Sequence, residues 1–338
     1  MSAAKPHTIS DIARLAGVSK STVSRALNDS PLISTETKDR IRAIAQEHDF
    51  EISAAARNLS LQQSHAVGFV TYAHKAGDLT DAFMLELMSG VAQGLHEHDY
   101  DMLVIHFEKG DTDWVGRYLR SGRVDGFILL SSMTGARQLK ALAEADAPFA
   151  IWDVAPRDHR GYCAVSGDSV TGGRLATAHL LGTGRTRIGF IGGFAHAPEV
   201  HDRLAGYQDA LAEAGVAYDP ELVVYGDWHR PEESGAEAAA QLLERAPDLD
   251  GIFANSDLLA IGAIEGLRRR ERRVPEDVAV VGYDDVAVAR YASPPLTTIR
   301  QNAPMAGRLL ANNLVQRLKT GVITNVSIPA ELVVRESA

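Results

Sequence analysis

Lys20, Ser21, Ser24, Arg25 and Asn28 fall on one side of the stretch KSTVSRALN, whose other side carries Val23, Ala26 and Leu27. Hydrogen-bond donors at helical spacing over an apolar reverse face are what a recognition helix offers to base edges and phosphates in a major groove. A second set of reactive residue types follows successive apolar runs: Thr71 to Phe83, Asp153, Phe194 to Arg203, Trp228, Asn255 to Asp257, and Tyr283 to Asp285. A carboxylate or amide oxygen accepts hydroxyl hydrogen bonds, a guanidinium donates a fork, and an indole face stacks on the apolar face of a sugar ring; the set suits a polyhydroxy ligand. Each of these residues also has a plainer reading. Asp257 and Asp284 would serve as helix caps, and Trp228 as half-buried packing.

Catalytic signals are poor. The chain has no GxxxxGK, no HExxH and no GxSxG. Gly167-Asp168-Ser169 faintly resembles a nucleophile motif, but Asp168 is placed to cap a helix beginning at Val170. His96, Glu97, His98 and Asp99 are consecutive, so a helix would not turn them one way, and they read as a solvated helix end. No enzyme activity, cofactor or metal is expected.

The donors need a scaffold. Thr8 followed by Asp11 is a capping-box-like start, and Ile9, Ile12, Ala13 and Ala16 form one helical stripe. Gly17 stops that helix, Val18 plugs the corner, and Ser19 caps the next. A third helix opens at Ser34 with Ile41, Ile44 and Ala45 on one side. Three short helices close a small core; a polar-faced helical hairpin and a helix-turn-helix both fit, and the compact module favours DNA readout. The DNA-facing set is Thr8, Ser19, Lys20, Ser21, Thr22, Ser24, Arg25 and Asn28.

Residues 51–64, EISAAARNLSLQQS, have no strand alternation and few large apolar side chains. Ser53 could cap two Ala-rich turns, which are too short to stand alone in water, so the segment reads as a plain linker or as a helix that forms only when held. Beyond Ala66, apolar runs begin at Ala66, Asp101, Asp125, Pro148, Arg187, Leu222, Asp250 and Val278. Amphipathic stretches separate them: Asp81 to His98, Thr112 to Gly122, Gly135 to Ala145, Val170 to Gly182, Pro198 to Ala214, Pro231 to Arg245, and Asp257 to Arg270. Alternation of this kind specifies parallel sheets covered on both faces. A closed barrel competes with two doubly wound lobes. The Gly-rich break from Arg157 to Gly167 divides the runs evenly and favours two lobes, with ligands bound past the strand ends.

Composition fits a globular chain of two to three domains, 338 residues long and 45% hydrophobic. The single cysteine, Cys163, reads as a packing residue in a reducing compartment. No apolar run approaches the roughly 18 residues of a membrane span, and MSAAKPHTIS has no signal-peptide core, so a cytoplasmic protein is expected. The net charge of -10 argues against nucleic acid until its placement is considered. Within residues 1–30, Lys5, Arg14, Lys20 and Arg25 outnumber Asp11 and Asp29, a surplus so modest that two copies must act together.

Six segments, in order, carry a resemblance to the lactose repressor (LacI-type) family of bacterial transcription regulators: TISDIARLAGVSKSTVSRALN, GGRLATAHLLGTGRTRIGFIGG, DRLAGYQDAL, ANSDLLAIGAI, VPEDVAVVGYDD and SPPLTTIRQ. The resemblance implies an α/β fold with a helix-turn-helix head at 1–50, a hinge at 51–64, and a two-lobed core similar to periplasmic sugar-binding proteins. One lobe would take 65–166 with 301–326, and the other 167–300 with 327–338. A homodimer on a near-palindromic operator is implied, with no membrane partner and nucleoid association; the chain stops without a heptad-repeat tail, so a dimer rather than a tetramer is expected. Base reading falls on Lys20, Ser21 and Arg25, and a minor-groove wedge on Leu59. Effector contacts fall on Asp153, Arg203, Trp228, Ser256, Asp284 and Gln301, to which position adds Phe83 and Asp257; Ser256 stands where many members carry Asn. The expected protein is an allosteric repressor controlled by a small sugar such as an α-glucoside. The competing readings are a co-repressed purine-type regulator and a non-regulatory solute-binding protein.

Overall fold

The computed structural model describes residues 8–50, 63–72, 81–107, 111, 113–130, 136–152 and 161–338. The chain divides into two units, 1–65 and 66–338. In the smaller, helix α1 (Ile9–Ala16) starts at Thr8, whose hydroxyl oxygen accepts the Asp11 N–H at 3.3 Å. Gly17 ends it at φ 65°, a left-handed conformation that costs glycine no Cβ clash. Ser19 caps α2 (Lys20–Leu27) and Ser34 caps α3 (Thr35–Glu47) in the same way, each accepting a backbone N–H three residues on. The three helices bury Ile12, Ala13, Ala16, Val23, Ala26 and Ile41, with Val18, Leu27 and Ile44 at the margin. This apolar cluster orients α2 and leaves its polar side outward.

The larger unit holds two six-stranded sheets, as the two-lobe reading expects and a barrel does not. The first contains β1 (Ala66–Tyr72), β2 (Asp101–Phe107), β3 (Gly126–Leu130), β4 (Phe149–Trp152), β5 (Cys163–Gly167) and β11 (Asn325–Ile328), ordered β11-β5-β4-β3-β1-β2 and parallel throughout. Helices α4 (Ala82–His96), α5 (Trp114–Leu119), α6 (Ala136–Glu144) and α11 (Ala303–Thr320) accompany it. The second contains β6 (Ile188–Gly192), β7 (Val223–Tyr225), β8 (Gly251–Ala254), β9 (Ala279–Asp284), β10 (Thr297–Arg300) and β12 (Glu331–Val333). Its order is β12-β10-β9-β8-β6-β7, with only β12 antiparallel to its neighbour. Helices α7 (Ser169–Gly182), α8 (Pro198–Glu213), α9 (Pro231–Arg245) and α10 (Asp257–Arg268) cover it.

Part of the segment read as an irregular break is itself a strand. Residues 163–167 form β5, which β4 and β11 flank on either side, and Cys163 is buried in it. Three crossings join the lobes: β5 to α7, β10 to α11, and β11 to β12. They run close together, since Gly167 lies opposite Ile328, Arg300 lies opposite Glu331, and the Asp168 N–H donates to the Ile328 carbonyl at 3.0 Å. Asp168 does cap α7, through the Thr171 N–H at 3.1 Å. In the second lobe α7 and α8 meet backbone to backbone, because a Cβ at Gly206 would overlap the Val170 carbonyl and one at Gly173 the Arg203 carbonyl.

Candidate DNA-reading face and effector cleft

On the head, Lys20, Ser21 and Arg25 are exposed, while Thr22, Ser24 and Asn28 are half-buried along the same helix. Thr8 and Ser19 use their hydroxyls as caps, and the Ser19 hydroxyl lies 2.7 Å from that of Ser21 and 2.8 Å from that of Thr22. Among the described residues, neither Lys20 nor Arg25 pairs with a carboxylate. The acid just past α2 is held by other cations: Asp29 pairs with Lys38 at 3.0 Å and Arg42 at 2.8 Å. The hydrogen bond from Lys38 and then that from Arg42 hold its carboxyl below the usual range. The two cations on α2 are thus left to an external anion such as a phosphate. Leu59 lies outside the described residues.

In the second sheet the chain runs from β6 outward to β7 and then back past β6 to β8, so the strand order reverses between β6 and β8. Loops part at such a point and leave a crevice beyond the carboxyl ends. Trp228 follows β7 and is half-buried, its indole filling the space a Cβ at Gly193 would need. Arg203 reaches the same region from α8. Its Nη1 donates to the Asn255 carbonyl at 2.6 Å, and its guanidinium carbon lies 3.6 Å from the centre of the Tyr283 ring, a cation–π contact.

Asp284 ends β9 at φ 113°, and its Oδ1 accepts the Gln301 amide at 2.6 Å. Burial pushes its carboxyl up to about 7; the charges of Asp81 and Glu86 add to the rise, while Arg203 and the Gln301 hydrogen bond oppose it. Asp284 caps no helix, and neither does Asp257. The cap of α10 is Ser256, whose hydroxyl accepts the Leu259 N–H at 3.2 Å. Asp257, fully buried, accepts the Val286 N–H at 2.8 Å and the Thr298 hydroxyl, so it braces the loop after β9. Burial, and then the charge of Asp284, raise its carboxyl well above the ordinary range. The buried Asp285 carboxylate pairs with the partly exposed Arg300 at 2.7 Å and with Arg335.

From the first lobe, Phe83 on α4 packs against Trp152 at the end of β4, ring centres 5.6 Å apart. Asp153 and the segments 73–80 and 131–135 lie outside the described residues. The second lobe therefore joins Asp284 to Gln301 by a hydrogen bond with Arg203 in electrostatic reach, places Trp228 past the end of the edge strand β7, and commits Ser256 to a backbone N–H and Asp257 to a backbone N–H and the Thr298 hydroxyl. Sequence reasoning passed over Tyr283 as the platform for Arg203 and Trp152 as the partner of Phe83. The glycines that leave room for these rings, Gly172 beside Tyr283 and Gly167 beside Trp152, are the signal that could have pointed there. Among the described residues no three His, Cys, Asp or Glu side chains are grouped to hold a metal, and no helix is long and apolar enough to cross a membrane.

Residues 8–53 match the bacterial regulatory proteins of the lacI family, and residues 177–338 match the periplasmic binding protein-like domain. The HTH-type transcriptional regulator CelR of Thermobifida fusca is 36% identical over 337 residues, covering 98% of each chain. The ribose operon repressor of Escherichia coli K12 is 34% identical, covering 92% of this chain and 93% of its own. Among solved structures, a transcriptional regulator CelR–cellobiose complex aligns at TM-score 0.75 and 34% identity, over 98% of this chain and 100% of that one. The lac repressor dimer bound to operator and the anti-inducer ONPF aligns at TM-score 0.82 and 25% identity, over 98% and 99%. With a helix-turn-helix head, a two-lobed core and relatives matched almost end to end, the chain belongs to the lacI family of bacterial regulatory proteins and is a DNA-binding transcriptional regulator.

Proposed function

We propose that this regulator is a homodimeric repressor, held on a near-palindromic operator until a short glucoside fills the cleft of its core. The observation that carries the reading is the half-buried Trp228 indole over Gly193, past the end of a sheet whose other strand ends present Asp284 and Gln301 and toward which Arg203 reaches from α8. A flat apolar face beside buried hydrogen-bonding groups matches a pyranose, which has an apolar face and a rim of hydroxyls. The sequence suggests an α-glucoside. The CelR complex holds cellobiose, a β-linked glucose disaccharide, so we propose a glucose disaccharide and put both linkages to the test. The lac repressor dimer on its operator supports the two-copy arrangement, and a protein that binds operator DNA would work at the nucleoid in the cytoplasm.

The site is read as binding, not catalytic. Sugar in the cleft would draw the lobes together and alter the way two copies meet on the DNA. Lys20, Ser21 and Arg25 would then lose their register on the DNA, with Leu59 withdrawn from the minor groove.

Mobility shift on the operator against cellobiose, maltose and ribose is the test. One glucose disaccharide is expected to release the DNA, and Trp228→Ala to need about tenfold more sugar, ~1.4 kcal/mol, with sugar-free operator binding unchanged. No response to any sugar removes the effector class, and equal loss of both activities makes Trp228 a packing residue.

A further inference from the structure

Where α8 meets the end of β8, four buried polar atoms have no hydrogen-bond partner: Oδ1 and Nδ2 of Asn255, Nε of Arg203, and Oε2 of Glu199. Glu199 and Arg203 are one turn apart on α8 and share a face. Asn255 directly follows β8, and its carbonyl accepts the Arg203 Nη1–H at 2.6 Å, which brings it against the Arg203 side of α8. Asn255 is 0% exposed and Arg203 4%. Burying an amide with neither its donors nor its acceptor engaged is destabilising and rare in folded proteins.

The unpartnered atoms mix donors with acceptors. Nε of Arg203 and Nδ2 of Asn255 donate; Oδ1 of Asn255 and Oε2 of Glu199 accept. A hydroxyl does both and satisfies any of them, whereas a phosphate only accepts and brings charge. The Arg203 guanidinium has Glu199 one turn away on its own helix and lies close enough to Asp284 to oppose the rise of that carboxyl, to which the charges of Asp81 and Glu86 add. A phosphate would meet more negative charge than positive.

We propose that the Glu199–Arg203–Asn255 corner is a subsite for sugar hydroxyls that admits uncharged sugars and turns phosphate esters away. This rests on reading the cleft as a sugar site and adds its charge selection. The reaction supplying the signal is then hydrolysis of a larger glucan, or import without phosphoryl transfer.

Calorimetric titration of the full chain with cellobiose, maltose and their 6′-phosphates tests this. The better disaccharide is expected to bind at least about a hundredfold more tightly than its ester. Glu199→Gln should narrow that gap about tenfold by letting the ester in. Asn255→Ala should cost about tenfold in affinity for the free sugar while the melting midpoint of the ligand-free protein holds or rises, the opposite of what a packing residue does. An ester as tight as its parent sugar, or a lower midpoint with unchanged affinity in Asn255→Ala, overturns the subsite and leaves the sugar reading standing. If no disaccharide or ester binds, the sugar reading falls and the subsite with it.

Discussion

In the sugar site proposed above, Asp284 is the carboxyl that would meet the ligand, and its own backbone is part of the reason. It and Asp285 are consecutive left-handed residues, at φ 113° and 58°, a conformation that costs non-glycine residues energy and persists only where the surroundings impose it. The grip of Arg300 and Arg335 on Asp285 supplies that constraint and aims Asp284 at Gln301. Burial raises the Asp284 carboxyl from 3.8 to about 7. Between those values the folded empty protein keeps a proton that the unfolded chain has lost, so stability falls as pH rises through the window. Ligand binding has the opposite sign. Hydroxyls donate to the ionised carboxylate, so sugar affinity is lost as pH falls through about 7. Between about pH 8 and pH 6 the dissociation constant is expected to rise about tenfold, one proton being linked to binding, and Asp284→Asn should flatten the profile. Titration calorimetry across that range decides; a flat profile in the unaltered protein removes Asp284 from the contacts.

At the scale of elements, the seam between α7 and α8 fixes where Arg203 arrives. Gly206→Ala would drive a methyl into the Val170 carbonyl and part the helices, at a cost of about 1–3 kcal/mol. The melting midpoint of the core should drop by several degrees with weaker sugar binding. Gly182→Ala, at the end of α7 with open space around its Cβ, should hold or raise the midpoint, as alanine favours a helix. Similar losses in both variants would mean the seam is not specially tight. The longer elements were legible in the sequence because their periodicity is local: the stretches read at Pro231 to Arg245 and Asp257 to Arg270 are α9 and α10 within two residues. Strands β5, β10, β11 and β12 were not, being three to five residues long and paired with distant chain, as when Val326 lies opposite Val165. Helix α11 escaped because Pro304, Gly307 and the pair Asn312-Asn313 depress helix propensity; Gly307 instead lets it close on the Leu87 backbone of α4. Trp228, Arg203 and Asp284 stood out in the sequence as aromatic and charged residues after apolar runs. The Asp284–Gln301 bond did not, since it depends on where a crossing strand places its side chain.

That bond matters at the scale of the whole molecule because Gln301 sits in the β10–α11 crossing, one of three strands of chain joining the lobes. Its side chain spans from Asp284 to the space a Cβ at Gly167 would take, so it touches two crossings at once. A sugar hydroxyl that claims Asp284 Oδ1 competes with the Gln301 amide, and the occupied cleft therefore bears on the segments about which the lobes turn. Effector and operator then bias one equilibrium, and linkage requires that each weaken the other by the same factor, typically about 5–150-fold or 1–3 kcal/mol. Operator affinity with and without saturating sugar, and sugar affinity with and without operator, should give one number. Gln301→Ala should bring that number toward one while sugar-free operator affinity stays within about twofold. A variant that keeps the full factor would show that the signal leaves the cleft by another route, such as the loop after β9 that Asp257 braces.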